Sequence, residues 1–278
     1  MWVAIAVGSA ALVTIAFVVL GAVLTGGSPE RPVPDWLLAR PFAHRGLHDR
    51  PSRPENSLSA FEAAARRGVG VELDVHLSRD GVPIVMHDDD LMRMTGYAAK
   101  VSDLTVDRIN SLSLLDSGQR VPTLAQALRV IDGRVPLLIE IKNEGDVGEL
   151  EDAVADTIKG YEGNVAIMSF NPYSVARVAV KAPEVPRGQL SGRFKGEDLA
   201  LYKKVMLRCL FMNWKSRSDF VAYEIGSVPS VTTFMQRLRG RPLIVWTSES
   251  PADTVRAVRL ADNVIANPLG LPPKRGMK

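Results

Sequence analysis

From Phe42 onward, short apolar runs alternate with segments of helical spacing. Nine runs read as strands: residues 41–44, 69–75, 83–87, 136–141, 164–170, 187–191, 220–225, 242–247 and 263–266. Helical periodicity fills 123–131, 149–158, 174–180, 197–207, 231–238 and 252–260. Ser57 stands where a helix cap belongs, just before Ala63-Ala64-Ala65. Strand–helix alternation with short connections predicts a parallel sheet covered by helices. Nine strands exceed the eight places of a closed barrel, so one is an extra or edge strand. Asp80-Gly81 looks like a hairpin turn, which would send His87 to the opposite end from Asp74. If both serve one site, the chain has to return and restart in parallel.

Residues 2–25 carry no charge, and as a helix they would span about 36 Å, enough to cross a bilayer. The segment lacks the basic start, the short apolar stretch and the A-x-A site of a cleaved signal peptide. It therefore reads as one transmembrane anchor (1–27), followed by a proline-rich linker (28–40) unsuited to a helix. A folded domain (41–272) and a basic tail (273–278) complete the chain, and the membrane is the expected partner of the anchor. Arginines after the anchor, with only the α-amino group before it, place the domain on the cytoplasmic side. Trp36-Leu37-Leu38 suits either the membrane interface or the domain surface.

Removing the anchor leaves about 250 residues, the size of one α/β barrel or one large α/β domain. The 34 basic and 31 acidic residues give +3 with no dense Lys/Arg run, which argues against nucleic acid as a partner. The single cysteine, Cys209, excludes an internal disulfide and a cysteine metal site. It reads as a small buried residue beside Leu207, Leu210 and Phe211.

Candidate chemistry concentrates between Ala43 and His87. Glu72 and Asp74 are i and i+2 on a strand and share a face, with Val71, Leu73 and Val75 facing the other way. Two such carboxylates repel unless a cation lies between them, and oxygen ligands suit Mg²⁺, Ca²⁺ or Mn²⁺. The plain alternative is an exposed edge strand. Glu140 and Lys142 repeat the pattern with Leu138 behind them: Glu140 can complete a three-carboxylate site, and Lys142 can meet a phosphate or hold the carboxylates. His44 and His87 each end an apolar run, where a barrel strand delivers side chains to its catalytic face, and two histidines can share acid and base roles. Arg45 suits bidentate phosphate binding. Glu55 and Asn56 can support the metal or Arg45, and Asn56 can instead cap the following helix. His76 alternates away from Asp74 and reads as structural, and His48 lies in a polar loop. Together these residues suggest metal-assisted phosphodiester hydrolysis.

The runs H-R-G at 44–46, P-E-N-S at 54–57, E-L-D-V at 72–75, D-G-V-P-I-V-M-H-D at 80–88 and I-E-I-K at 139–142 closely resemble the glycerophosphodiester phosphodiesterase family. V-S-D-L-T at 101–105 and V-P-T-L at 121–124 extend the likeness, which runs from about Phe42 to Pro268. The resemblance implies a (β/α)8 TIM-type barrel, a divalent cation, and hydrolysis of glycerophosphodiesters to glycerol 3-phosphate and an alcohol. It implies Glu72, Asp74 and Glu140 as metal ligands and His44 and His87 as the catalytic pair. Arg45 and Lys142 would contact the phosphate, Trp246 would line the glycerol side, and Glu55 would support the metal or Arg45. Departures are Met94 for a frequent Thr, Ala125-Gln126 for an acidic residue, and Asn267 in an acidic place. The family's insertion has only residues 89–121 available. These departures leave open a lysolipid substrate or a lyase-type phospholipase D on the same fold. A non-catalytic membrane-tethered binding module is the rival from another class.

Overall fold

The computed structural model describes residues 25–271 apart from 30, 50, 51 and 144. Its strands are β1 (Phe42–Ala43), β2 (Gly70–Leu77), β3 (Pro83–Val85), β4 (Leu137–Ile141), β5 (Val165–Ser169), β6 (Arg187–Ser191), β7 (Phe220–Glu224), β8 (Leu243–Ser248) and β9 (Asn263–Ala266). All but β3 pair in parallel, and β1 pairs with both β2 and β9, so eight strands close into a barrel. The helices are α1 (Trp36–Ala39), α2 (Leu58–Arg67), α3 (Met92–Thr95), α4 (Val106–Asn110), α5 (Leu124–Ile131), α6 (Glu149–Ile158), α7 (Pro172–Lys181), α8 (Leu201–Arg208), α9 (Asn213–Ser216), α10 (Val231–Leu238) and α11 (Pro251–Leu260). This is the expected TIM-type architecture, and each of the nine apolar runs overlaps a strand.

The extra strand is β3, and here the chain departs from the parallel restart expected after Asp80-Gly81. β3 is antiparallel to β2, with Val75 opposite Val85 and Leu77 opposite Pro83. The hairpin nevertheless brings His87 back to the site. β2 overruns the barrel: its pairing with β4 ends at Val75, two residues short of its own end. The turn thus lies above the C-terminal rim of the barrel, and β3 descends from it until the Met86 N–H donates to the Asp74 carbonyl at 3.1 Å.

Strand alternation sorts the side chains. Val71, Leu73, Val75, Ile139 and Ile141 face outward into the helix-covered core. Phe42, Leu138, Met168, Phe220, Ile244 and Ile265 fill the barrel interior. The rings of Phe42 and Phe220 are both fully buried, and the residue opposite each in register is a glycine: Gly70 and Gly188. A Cβ on Gly188 would lie 2.2 Å from the Phe220 ring, and one on Gly70 would lie 2.6 Å from Phe42. Residues 89–121 build a satellite core around Leu91, Met94, Ile109 and Leu114. Met94, in place of a hydroxyl residue, is buried there.

The linker corrects a second expectation. Despite its prolines it forms the one-turn helix α1, which starts just after Pro34, where the Leu37 N–H donates to the Pro34 carbonyl. Leu37 is fully buried against the barrel interior, so the Trp36-Leu37-Leu38 run packs on the domain. Asn263 donates to the carbonyls of Leu37 and Arg40 at 2.7 and 2.8 Å, tying this helix to β9. Cys209, expected to be buried, is partly exposed just beyond α8. The expected anchor, apart from residues 25–27, and the basic tail lie outside the described residues. Among the described residues no helix is long and apolar enough to cross a membrane.

Candidate active site

At the C-terminal ends of β2 and β4, Glu72, Asp74 and Glu140 bring carboxylate oxygens within 4.8 Å of one another. All three are buried. In register Asp74 lies directly opposite Glu140, which is why two separate E-x-D and E-x-K strands make one cluster. The exposed-edge alternative therefore fails. Lys142 ion-pairs with Asp74 at 3.1 Å and with Glu140 at 2.5 Å, so of its two expected roles it holds the carboxylates in this structure.

Arg45 leaves β1 with φ +53°, a left-handed conformation that costs a non-glycine residue energy and is common at functional sites. Its N–H donates to Glu72 at 2.9 Å, and its Nη1 donates to Glu55 at 2.7 Å. Asn56, also left-handed at +57°, donates Nδ2 to Asp74 at 2.9 Å. Ser57 is the residue that caps α2, accepting from the Ala60 N–H, so the capping role considered for Asn56 belongs to its neighbour. The polar residues of P-E-N-S thus divide the labour: Glu55 holds Arg45, Asn56 holds Asp74, and Ser57 starts the helix.

His44 and His87 face the same cavity from β1 and from the hairpin return. It has about 450 Å³ of free space and is walled by Arg45, Glu72, Glu140 and Lys142 on its polar side. Met168, Phe170, Leu190 and Trp246 form an apolar side. The Trp246 ring meets Phe170 edge-on at 5.5 Å, and Phe194 meets Phe170 at 5.8 Å. His44 Nδ1 lies 2.8 Å from the Asn267 amide oxygen. His87 Nδ1 lies 2.8 Å from an Asp88 carboxylate oxygen. His76, read as structural, sits with Nε2 3.0 Å from the His87 carbonyl and so braces that backbone. His48 does not line the cavity.

Three contributors escaped the sequence reading. Asp88 is adjacent to His87, and the H-D-D run was the available signal. Arg93 bridges Asp88 and Glu55 at 2.5 and 2.7 Å. No spacing announces it, because it depends on α3 folding back over the first motif. Asn267 stood out only as a departure from an acidic residue, while its contact with His44 spans 223 positions.

The charges explain the titration behaviour. Burial, then the Arg45 charge, lowers the His44 imidazole to about 4, so it is neutral at pH 7. Burial also lowers His87, with Asp74 and Asp88 opposing the shift. Burial pushes the Glu55 carboxyl up, but Arg93 and Arg45 outweigh it and hold the group at about 2. Glu72 is pushed well above the usual carboxylate range by burial, then by Asp74 and Glu140.

That last shift is a test of fit for a divalent cation, and the site passes it. Three buried carboxylates are opposed at close range by the charges of Lys142 and Arg45, and Glu72 favours its protonated form for want of a further positive charge. Asp74 Oδ1 and Glu140 Oε1 meet the Lys142 ammonium, and Arg45 Nε lies 3.5 Å from Asp74 Oδ2, while Trp246 Nε1 is buried without a hydrogen-bond partner. Buried donors are rarely left so, and one facing a cavity walled by charged groups fits a site completed by a bound ligand. All-oxygen donors suit Mg²⁺, Ca²⁺ or Mn²⁺.

The sequence profile of the glycerophosphoryl diester phosphodiesterase family matches residues 44–267. A glycerophosphodiester phosphodiesterase of Caldanaerobacter subterraneus is 38% identical over 161 residues, 54% of this chain and 65% of the relative. The match thus spans just under two thirds of that relative's length. Among solved structures, an Oleispira antarctica phosphodiesterase in complex with the product sn-glycerol-3-phosphate superposes with a TM-score of 0.69 at 22% identity. That superposition covers 82% of this chain and 93% of the other. A Thermotoga maritima glycerophosphodiester phosphodiesterase gives 0.64 at 26% identity, covering 82% and 94%. With the profile extending from the cavity-facing His44 to its partner Asn267, the chain belongs to the glycerophosphoryl diester phosphodiesterase family.

Proposed function

We propose that this chain hydrolyses glycerophosphodiesters to glycerol 3-phosphate and an alcohol. The observation that carries the reading is the buried Glu72–Asp74–Glu140 cluster facing one cavity with two histidines and Arg45. A divalent cation held by these carboxylates would supply Lewis acidity toward a phosphate oxygen. Arg45, which lines the cavity, binds a second phosphate oxygen and offsets charge developing on it. Lys142 restrains Asp74 and Glu140 and adds positive potential beside the phosphate.

The roles of the histidines follow from their partners. The Asn267 amide oxygen accepts, so His44 Nδ1 carries the proton and Nε2 presents a lone pair. His44 is then the base that takes the proton of the attacking water. Asp88 stabilises the charged form of His87, which donates its proton to the leaving alkoxide. The glycerol lies against Phe170 and Trp246. A wider groove lined by His76, Ser102, Asn143 and Glu149 opens beside Lys142 and receives the alcohol.

The uncharged segment 2–25 serves as a single membrane anchor, with the domain on the cytoplasmic side. A second reading, a lysolipid substrate, is favoured by the apolar half of the cavity. The deciding experiment gives the detergent-purified full chain glycerophosphocholine or lysophosphatidylcholine and identifies products, with EDTA and then with Mg²⁺ or Ca²⁺ restored. Metal-dependent glycerol 3-phosphate from the soluble diester is the expected result. A cyclic phosphate as the final product from the lysolipid moves the assignment to a lyase. Bound metal without turnover leaves a binding module.

A further inference from the structure

The outward faces of α8 and α10 break the usual pattern of barrel helices. α8 buries none of its residues, and Leu201 and Tyr202 are 78% and 67% exposed. α10 is inverted: it buries Thr233 and Gln236, while Val231, Phe234, Met235 and Leu238 point outward at i, i+3, i+4 and i+7. That spacing is a continuous apolar stripe on the wrong side for a core. Trp214, on α9 between the two, is 51% exposed. Among the described residues every exposed large apolar side chain except Met92 lies at or beyond Tyr173, on the β5–β9 side. Patches of this kind mark interaction surfaces.

Charge follows the same division. Residues 173–260 hold 15 Lys and Arg against 7 Asp and Glu, although the whole chain has 34 against 31. The excess is +8 on this side and −5 over the rest. Lys203, Lys204 and Arg208 lie among the apolar residues of α8, and Lys215 reaches over the Tyr173 ring at 5.9 Å. Exposed Trp, Tyr and Leu interspersed with lysine is the composition of interfacial segments that enter the headgroup region of an anionic bilayer.

The chain itself leads to this face. Gly26, directly after the uncharged segment, packs on α9, where a Cβ would lie 3.0 Å from the Asn213 carbonyl oxygen. Asn213 in turn donates to Gln236 of α10 at 3.3 Å. The chain leaving the segment therefore meets the domain at α9, between α8 and α10. A second copy of this chain is the poorer occupant, because a two-fold contact would press one basic face on another.

We infer that α8, Trp214 and α10 form a docking face for an anionic lipid bilayer, independent of which phosphodiester is cleaved. The face reaches the catalytic rim. Tyr223 at the end of β7 donates to the Arg208 carbonyl at 2.8 Å, and Ser191 at the end of β6 donates to the Leu207 carbonyl at 2.9 Å. Docking thus brings the cavity mouth against the lipid surface.

The test uses the full chain with Cys209→Ser and one new cysteine bearing an environment-sensitive fluorophore. Leu201→Cys and Phe234→Cys report the face, and Arg129→Cys on α5 reports the opposite side. The expected result with phosphatidylcholine vesicles containing phosphatidylglycerol is a blue shift and about a two-fold gain at 201 and 234, with none at 129. The gain falls in pure phosphatidylcholine and in Lys203→Glu/Lys204→Glu, which leaves hydrolysis of a water-soluble diester unchanged. Vesicle flotation reports the apolar segment separately. Flotation without a shift at 201 and 234 overturns the face alone, and no flotation on anionic vesicles overturns both. A shift in detergent that grows with protein concentration assigns the face to a second copy. A shift independent of lipid and concentration assigns it to the N-terminal segment, and either result overturns the proposal.

Discussion

His44 and Asn267 meet through an Nδ1–Oδ1 contact of 2.8 Å at the seam where β1 pairs with β9. An amide orients the imidazole without adding charge, so burial and Arg45 are free to keep His44 at about 4. A carboxylate in the same place would favour the imidazolium. A base works in its neutral form, so activity is lost as pH falls through its pKa. Raising that pKa brings the loss to higher pH. Asn267→Asp is therefore expected to move the acidic limb of kcat/KM upward. An unmoved limb in a folded, active variant would take the base role from His44.

The two histidines are separable by leaving group. Protonation of the alkoxide matters for an ordinary alcohol and little for p-nitrophenol, which leaves unaided. His87→Ala should lose about 100- to 10,000-fold on glycerophosphocholine and far less on a p-nitrophenyl diester. His44→Ala should lose similar factors on both. Equal sensitivity of the two variants to the leaving group would mean the assignments are wrong.

Metal binding should release a proton. Burial, followed by Asp74 and Glu140, keeps the Glu72 carboxyl protonated into the range where free carboxylates are ionised. A cation needs the carboxylate, so it must displace that proton, and affinity falls as pH falls. Calorimetric titration of Mg²⁺ or Ca²⁺ in two buffers of different ionisation enthalpy measures the release. Glu72→Gln should remain folded and release none. Release undiminished in that variant would place the proton elsewhere.

Arg93 holds Glu55, and Glu55 holds Arg45, through 2.7 Å contacts to the same carboxylate oxygen. Glu55 titrates at about 2, below its ordinary 4.5. Its depressed pKa adds stability that is complete above the ordinary value and is lost as pH falls toward about 2. Arg93→Ala lets the carboxyl rise, so the acid-unfolding midpoint should move to higher pH. Arg45 loses a restraint as well, and KM should rise about ten-fold, the worth of one charged hydrogen bond. An unchanged KM together with the acid shift would confine Arg93 to a structural role.

What was legible in the sequence is what depends on local period. The i, i+2 rule put Glu72 with Asp74 and Leu138 with Glu140, and each alternation survives in the barrel. The hairpin was also legible at Asp80-Gly81, but its consequence was not. Whether a returning strand reaches Asp74 depends on how far β2 overruns the rim, which is a matter of neighbouring strand lengths. The linker helix α1 was missed because proline content argued against it, whereas Leu37 gains its place by filling the barrel interior. Arg93 and the Asn267 contact were invisible for the same reason: they join segments whose nearness only the closed barrel creates.

The barrel floor offers the last prediction. Phe220 occupies its layer only because Gly188 across the strand has no side chain. A Cβ at Gly188 would lie 2.2 Å from the ring, and the ring, fully buried, has no room to retreat. Overpacking of this kind costs about 1–3 kcal/mol, so Gly188→Ala should lower Tm by several degrees. The clash lies at the N-terminal start of β7, away from the carboxylates, so kcat/KM below the transition should hold. Phe220→Leu alone should also destabilise, by leaving a cavity. Combined, the smaller side chain makes room for the new methyl, and the double variant should be more stable than the sum of the two losses. Strict additivity in thermal melts would show that the glycine is tolerated space rather than a steric requirement.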